Sequence, residues 1–205
     1  MSIIGLAGLA GAGKSVAART IENEHNGEVV KFAGALKAML RAFYAYLEVD
    51  HETIERKLEG DLKEVPCSHL AWNTPRYAMQ TLGTEWGREQ ISNKLWIYVA
   101  MEKADRAIER GKVAVFDDMR FPNECQAIKD EGGLTIRLVA PKNRRDAGTT
   151  HASEAQVSSL PVDYEVRNDD TIRTLEQRVS MVVNAVQAGN VGGGSFGFRY
   201  GGEKG

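Results

Sequence analysis

Residues 8 to 15 read GLAGAGKS and follow the apolar run SIIGLA, and no other stretch constrains the fold of this chain as tightly. The spacing fits G-x-x-x-x-G-K-[ST] with Gly8, Gly13, Lys14 and Ser15. Glycines let a backbone fold around an anion with its N–H groups turned inward, and a helix starting near Ser15 adds the positive end of its dipole. Such a loop needs a strand behind it and a helix ahead of it. Lys14 is expected to bridge the β- and γ-phosphates of a nucleotide, and the Ser15 hydroxyl to complete a Mg²⁺ shell. The backbone from Ala10 through Gly11 and Ala12 to Val16 is expected to line the same phosphates. The match specifies ATP or GTP binding, and by itself it does not separate a kinase from a switch or a motor.

The rest of the chain supplies a matching architecture. Besides 2–7, four β-rich runs follow: EVVKFA (28–33), KVAVFD (112–117), LTIRLVA (134–140) and VDYEVR (162–167). Helical patterns separate them, and strands alternating with helices predict an α/β fold whose parallel sheet is covered on both faces. A helix over 35–47 puts Leu36, Leu40, Phe43 and Leu47 on one face. Thr74 caps a helix that has Pro75 at its first position. Ser92 is placed to cap a long helix ending at Gly111, Pro122 opens a short one ending at Gly132 and Gly133, and a last helix carries Ile172, Leu175, Val179, Val182 and Val186.

Composition narrows the classes of partner. A formal net charge of −2 over 205 residues provides no basic surface for duplex nucleic acid. No run is apolar enough to span a bilayer, and the opening MSIIGLAGLAGA lacks the basic leading segment of a secretory signal. The two cysteines, Cys67 and Cys125, lie outside any C-x-x-C spacing and are read as unpaired thiols of a cytoplasmic protein. One domain is expected over 1–188. From Gly189 the sequence GNVGGGSFGFRYGGEKG is too rich in glycine to build a core of its own and is read as a flexible tail.

The second half of a nucleotide site is a carboxylate at the end of an apolar strand. KVAVFDDMR offers Asp117 and Asp118 side by side, which face opposite ways if the strand continues that far. A guanine-reading N-K-x-D stretch is missing, since NKLW at 93–96 lacks the acid. Arginines instead lie where a second substrate could bind. In TPRYAMQTLGTEWGRE (74–89), Arg76 and Gln80 are four residues apart and share a helical face. Arg76 could fork a phosphate while Gln80 reads a base or sugar edge. Gly83 and Thr84 are expected to close that helix. Trp86 and Trp96 offer either flat faces for a base or bulk for a core. Lys37 opens a helix and is either an acceptor contact or ordinary helix surface.

With GLAGAGKS, FAGALK (32–37), TPRYAMQTLGTEWGRE, DDMRFPNE (117–124) and HASE (151–154), the chain resembles the bacteriophage deoxynucleoside monophosphate kinases over roughly residues 1 to 185. These belong to the P-loop group of nucleoside monophosphate kinases. The resemblance implies an adenylate-kinase-like, three-layer P-loop fold with five parallel strands, and a phosphotransferase that uses ATP and Mg²⁺. Host cytoplasm follows if the chain is phage-encoded, and a homodimer is allowed. It places acceptor-side functions on Arg76, Gln80, Gly83, Thr84, Trp96, Asp118, Arg120 and Glu124. Its DMRFPNE segment selects Asp118 over Asp117 as the motif acid and leaves Asp117 as a candidate metal contact.

The implied reaction is transfer of the ATP γ-phosphoryl group to a deoxynucleoside monophosphate, with Lys14, Arg120 and Asp118 as the catalytic set. The segment 141–155 is the expected lid, with Arg144 and Arg145 closing on phosphates and His151 beside them. Two other readings compete. One is a kinase of the same fold with another phosphorylated acceptor, such as dephospho-coenzyme A or phosphomevalonate. The other is an ATP-binding regulatory or assembly module.

Overall fold

Each of the five apolar runs becomes a strand of one parallel sheet. In the computed structural model, which describes residues 1–141 and 157–189, these are β1 (Ile3–Ala7), β2 (Gly27–Val30), β3 (Val113–Phe116), β4 (Leu134–Val139) and β5 (Tyr164–Arg167). The expected lid residues Arg144, Arg145 and His151, and the glycine-rich stretch from 190, lie outside the described residues. By contact the chain divides into two compact units. One is Met1–Val30 with the described residues from Ala104 onward, and the other is Lys31–Lys103.

The sheet belongs to the first unit, in the order β2-β3-β1-β4-β5. Strand β1 is central, pairing with β3 through Ile4 opposite Val115 and with β4 through Leu6 opposite Ile136. The chain runs from β1 out to β2, returns to β3, and then crosses to β4 on the other side of β1. That reversal makes the carboxyl end of β1 the switch point of the sheet, where open α/β sheets bind ligands.

Helix α1 (Lys14–Glu24) and the final helix α7 (Ile172–Gln187) pack on each other. Ile4 and Leu6 of β1 share a core with Ala17, Ile21, Leu175, Val179 and Val183 from these helices. Gly5 faces the opposite way, since a Cβ there would meet the Ile128 side chain at 2.5 Å. Ile128 lies on α6 (Pro122–Asp130), which covers β1 and β4 from that side. Burial on both faces explains why the strands read as continuous apolar runs. In α7 the buried residues are Leu175, Val179 and Val183, whereas Ile172 is exposed.

The second unit is helical. It holds α2 (Gly34–Tyr46), α3 (His51–Leu58), 3₁₀ turns at Asp61–Glu64 and Ser68–Leu70, α4 (Pro75–Thr81), and the start of α5 (Leu95–Glu109). Its core is Leu40, Tyr44, Ile54, Leu58 and Cys67, with Leu70, Ala78, Met79 and Leu82 packed against it. Tyr44 takes the buried place on α2 that the sequence pattern assigned to Phe43, and Phe43 and Leu47 are exposed.

One further expectation is corrected here. Gly83 and Thr84 do not close the helix that starts at Pro75. The chain continues through them as a π-helix, Leu82–Ile91. Gly87 permits it: a Cβ there would lie 2.5 Å from the Trp96 ring. Ser92 ends that π-helix and, as expected, caps the turn that leads into α5: its Oγ accepts from the Lys94 N–H at 3.2 Å and its carbonyl from the Leu95 N–H at 3.0 Å.

Candidate functional site

The loop after β1 is shaped by backbone alone. Gly13 has φ 98° and forms the N-cap of α1 without a side-chain oxygen. A side chain there would strain the backbone and meet Asn168 Nδ2 and Leu175 Cδ2, both at 2.7 Å. By contrast α3, α4 and α7 are capped by Asp50, Thr74 and Thr171, each accepting from a backbone N–H. Without such a cap, and without an acid in its first turn, α1 presents its free N–H groups and dipole to an anion.

Two contacts brace this loop. The Ala12 N–H bonds to the Leu9 carbonyl at 3.1 Å, and Asn168, just beyond β5, donates its side-chain N–H to the Ala12 carbonyl at 3.2 Å. Asn168 was invisible to sequence reasoning, because nothing in its neighbourhood announces a contact with residue 12. Ala12 is buried, Ala10 and Gly11 are exposed, and the Val16 side chain packs against the core, leaving only its backbone for a ligand. A cleft borders the loop, lined by Gly8, Ala10, Leu138 and Ala140 among others.

Lys14 is the first residue of α1. Its ammonium folds back to donate to the carbonyl oxygens of Gly8 at 2.7 Å and Leu9 at 2.9 Å. Burial lowers its pKa from the ordinary lysine value and Arg120 lowers it further, while Asp117 and Asp118 pull the other way. The loop lysine, both strand-end acids and Arg120 therefore share one electrostatic neighbourhood. Ser15 is exposed at the second position of the helix.

Asp117 and Asp118 are half-buried just past β3. Arg120 is exposed, and its backbone is fixed by Glu124. The Glu124 carboxylate is buried and accepts from the backbone N–H groups of Arg120 at 2.8 Å and Phe121 at 3.1 Å. An acid at the third position of a helix reaching back to the preceding N–H groups is the capping pattern that this spacing encodes. Glu124 thus sets the turn that carries Arg120.

In the second unit, Arg76 and Gln80 are both exposed on α4, and Arg76 is paired with Glu64. Lys37 donates to both carboxylate oxygens of Glu59 at 2.8 Å. Arg41 forks Glu55 at 2.6 and 2.9 Å. Gly83 is buried and Thr84 exposed. The Trp96 indole is 4% exposed and its Nε1 donates to the Gly83 carbonyl at 2.8 Å, so the structure gives it a packing role under the π-helix. Trp86 stands 6.0 Å away, ring to ring. Among the described residues, no three His, Cys, Asp or Glu side chains gather closely enough to hold a metal by themselves, and no helix is long and apolar enough to cross a membrane.

Comparison with known proteins adds the following. A family model described as deoxynucleotide monophosphate kinase matches residues 50–179. That span excludes the loop at Gly8, so the match and the loop geometry are independent observations. A protein of Acanthamoeba polyphaga mimivirus, provisionally named deoxynucleotide monophosphate kinase, is 31% identical over 204 residues, covering 91% of this chain and 99% of that protein. The deoxynucleoside-5′-monophosphate kinase of Escherichia phage T5 is 28% identical over 112 residues, which is 52% of this chain and 44% of that one. Among solved structures, the dephospho-CoA kinase of Campylobacter jejuni superposes with a TM-score of 0.52 at 15% identity, covering 93% of this chain and 99% of that chain. That likeness concerns the fold.

Proposed function

This chain belongs to the deoxynucleotide monophosphate kinase family, and from that premise we propose that it transfers the γ-phosphoryl group of ATP to the 5′-phosphate of a deoxynucleoside monophosphate, giving the diphosphate and ADP. The observation that carries the reading is the loop at Gly8–Ser15, with Lys14 among Asp117, Asp118 and Arg120 at the switch point of the sheet.

The acceptor phosphate is already anionic near neutral pH, so the reaction needs alignment and charge neutralisation more than a strong base. The uncapped start of α1 and the loop N–H groups hold the donor phosphates. Lys14 exchanges the Gly8 and Leu9 carbonyls for β- and γ-phosphate oxygens. Arg120, held by Glu124, neutralises charge on the phosphoryl group in flight, and Asp118 orients Arg120. Arg76, Gln80 and Lys37 take the acceptor.

The chain also fits Mg²⁺. That ion keeps several waters and takes one or two protein ligands plus phosphates, which suits the exposed Ser15 hydroxyl and Asp117 near Lys14. When bound, it screens the negative charge of the phosphates. Trp96 is left out of the acceptor set because its polar atom is already bonded within the protein.

The test is a coupled assay with ATP and Mg²⁺ against dGMP, dTMP, dCMP, dAMP and their ribose counterparts. ADP formed together with the matching deoxynucleoside diphosphate is expected. ADP formed at one rate whatever the acceptor would make the chain a hydrolase.

A further inference from the structure

Outside the loop, the densest gathering of charge among the described residues surrounds Glu59, at the end of α3. Lys37 reaches both of its oxygens at 2.8 Å, while Arg41 stands at 3.8 Å and Lys63 at 4.0 Å. Burial opposes ionisation of Glu59, but Lys37, Lys31 and Lys63 hold its pKa below the usual carboxylate value. Arg41 is also forked by Glu55, and the Arg76 Nε is paired with one oxygen of Glu64. Four cations (Lys37, Arg41, Lys63, Arg76) thus face three carboxylates (Glu55, Glu59, Glu64), an excess of one positive charge, and Lys31 stands near Glu59 and Lys63. A phosphate monoester carries a charge of about −1.5 to −2 near pH 7.

Lys63 is the cation in this group with the poorest partner. It lies on the 3₁₀ turn Asp61–Glu64, next in sequence to the carboxylate that holds Arg76. Its side chain is 25% exposed, yet among the described residues its ammonium donates no hydrogen bond, and Glu59 at 4.0 Å is too distant for one. Burial lowers its pKa, with Lys37, Arg76 and Lys31 adding to the fall against the pull of Glu59. A partly buried ammonium among other cations is stabilised most by an anion that several of them can share.

We infer that Lys63 is an acceptor-binding residue that donates to the 5′-phosphate together with Lys37 and Arg76, with Glu59 and Glu64 holding these side chains in place as counter-ions. This rests on the reading of the acceptor as a nucleoside monophosphate. The residue has no counterpart in the motifs that point to the family. It is found only because the 3₁₀ turn folds it beside Lys37 and Arg76.

The experiment compares wild type with Lys63→Met, which keeps the aliphatic stem, and Lys63→Arg, which keeps the charge. KM for the deoxynucleotide, KM for ATP and kcat are measured for each, with a thermal melt. Loss of a charge-assisted hydrogen bond predicts a rise of about 10- to 100-fold in the deoxynucleotide KM of Lys63→Met. The ATP KM and the melt should be unchanged, and Lys63→Arg should recover most of the loss. A merely structural lysine would move both KM values or the melt, and that result overturns the inference. So does an unchanged deoxynucleotide KM in Lys63→Met while the wild type is active. A wild type inert towards every deoxynucleotide would instead overturn the functional reading, and this inference with it.

Discussion

The two anion-receptive regions of this protein are built in opposite ways. At Gly8–Ser15 the backbone makes the site: a left-handed Gly13 and an uncapped helix, with Lys14 as the one cation of the loop. Around Glu59 side chains make it, and cations from α2, a 3₁₀ turn and α4 are held by carboxylates from α3 and that turn. The first needs contiguous residues, and the second needs a folded unit. A backbone site has a fixed geometry, whereas a side-chain site can be altered one charge at a time.

The comparison breaks most sharply at Lys14. Lys14→Ala should lower turnover by at least ~10²-fold, the scale of losing one transition-state donor, with the far-UV circular dichroism spectrum retained. Wild-type-like turnover would remove the loop from the mechanism. Next comes Arg76→Ala, expected to raise KM for the deoxynucleotide about 10- to 100-fold by loss of a charged hydrogen bond. Its ATP KM should hold, and equal weakening of both substrates would make Arg76 structural.

A smaller effect is expected from Glu124→Gln. Both backbone N–H groups donate to the same carboxylate oxygen, and the amide oxygen can replace it but without the charge, so the Arg120 turn loosens without collapsing. A kcat loss of about 10-fold is expected, since a misplacement of order 1 Å can cost ~10²-fold; pre-steady-state transfer rates at saturating substrate would measure it. Trp96→Phe should change catalysis least. It deletes the bond to the Gly83 carbonyl and costs about 1–3 kcal/mol in a denaturant melt, while the deoxynucleotide KM stays as it was. A large rise in that KM would return Trp96 to the acceptor site.

Legibility in the sequence follows the same division. Strand positions, the loop, the Thr74 cap and the Pro122 helix were readable because each depends on residues close in sequence. The stripe of α2 was misassigned at Phe43 because period alone does not say which neighbour will cover a face; Tyr44 is taken by the pocket around Cys67. The π-helix escaped because its cause, the Trp96 ring against Gly87, lies on the next helix. Glu124, which the resemblance assigns to the acceptor side, also has a local role that its place three residues into the Pro122 helix encodes: one carboxylate oxygen accepts from the Arg120 and Phe121 N–H groups. Lys63 carries no local signal at all.

The bond from Asn168 to the Ala12 carbonyl spans 156 positions of chain. Strand β1 likewise waits for β3 and β4, and α1 for α7, before either is enclosed. The phosphate loop therefore precedes along the chain most of what encloses it and is among the last parts to be finished, because contacts so distant in sequence close late. A nascent chain that stops short of β3 holds the loop's whole sequence but lacks Asn168, β3, β4 and α7. Nucleotide binding is thus a property acquired only once α7 has been made, and ATP can favour the completed fold over every partial one that precedes it.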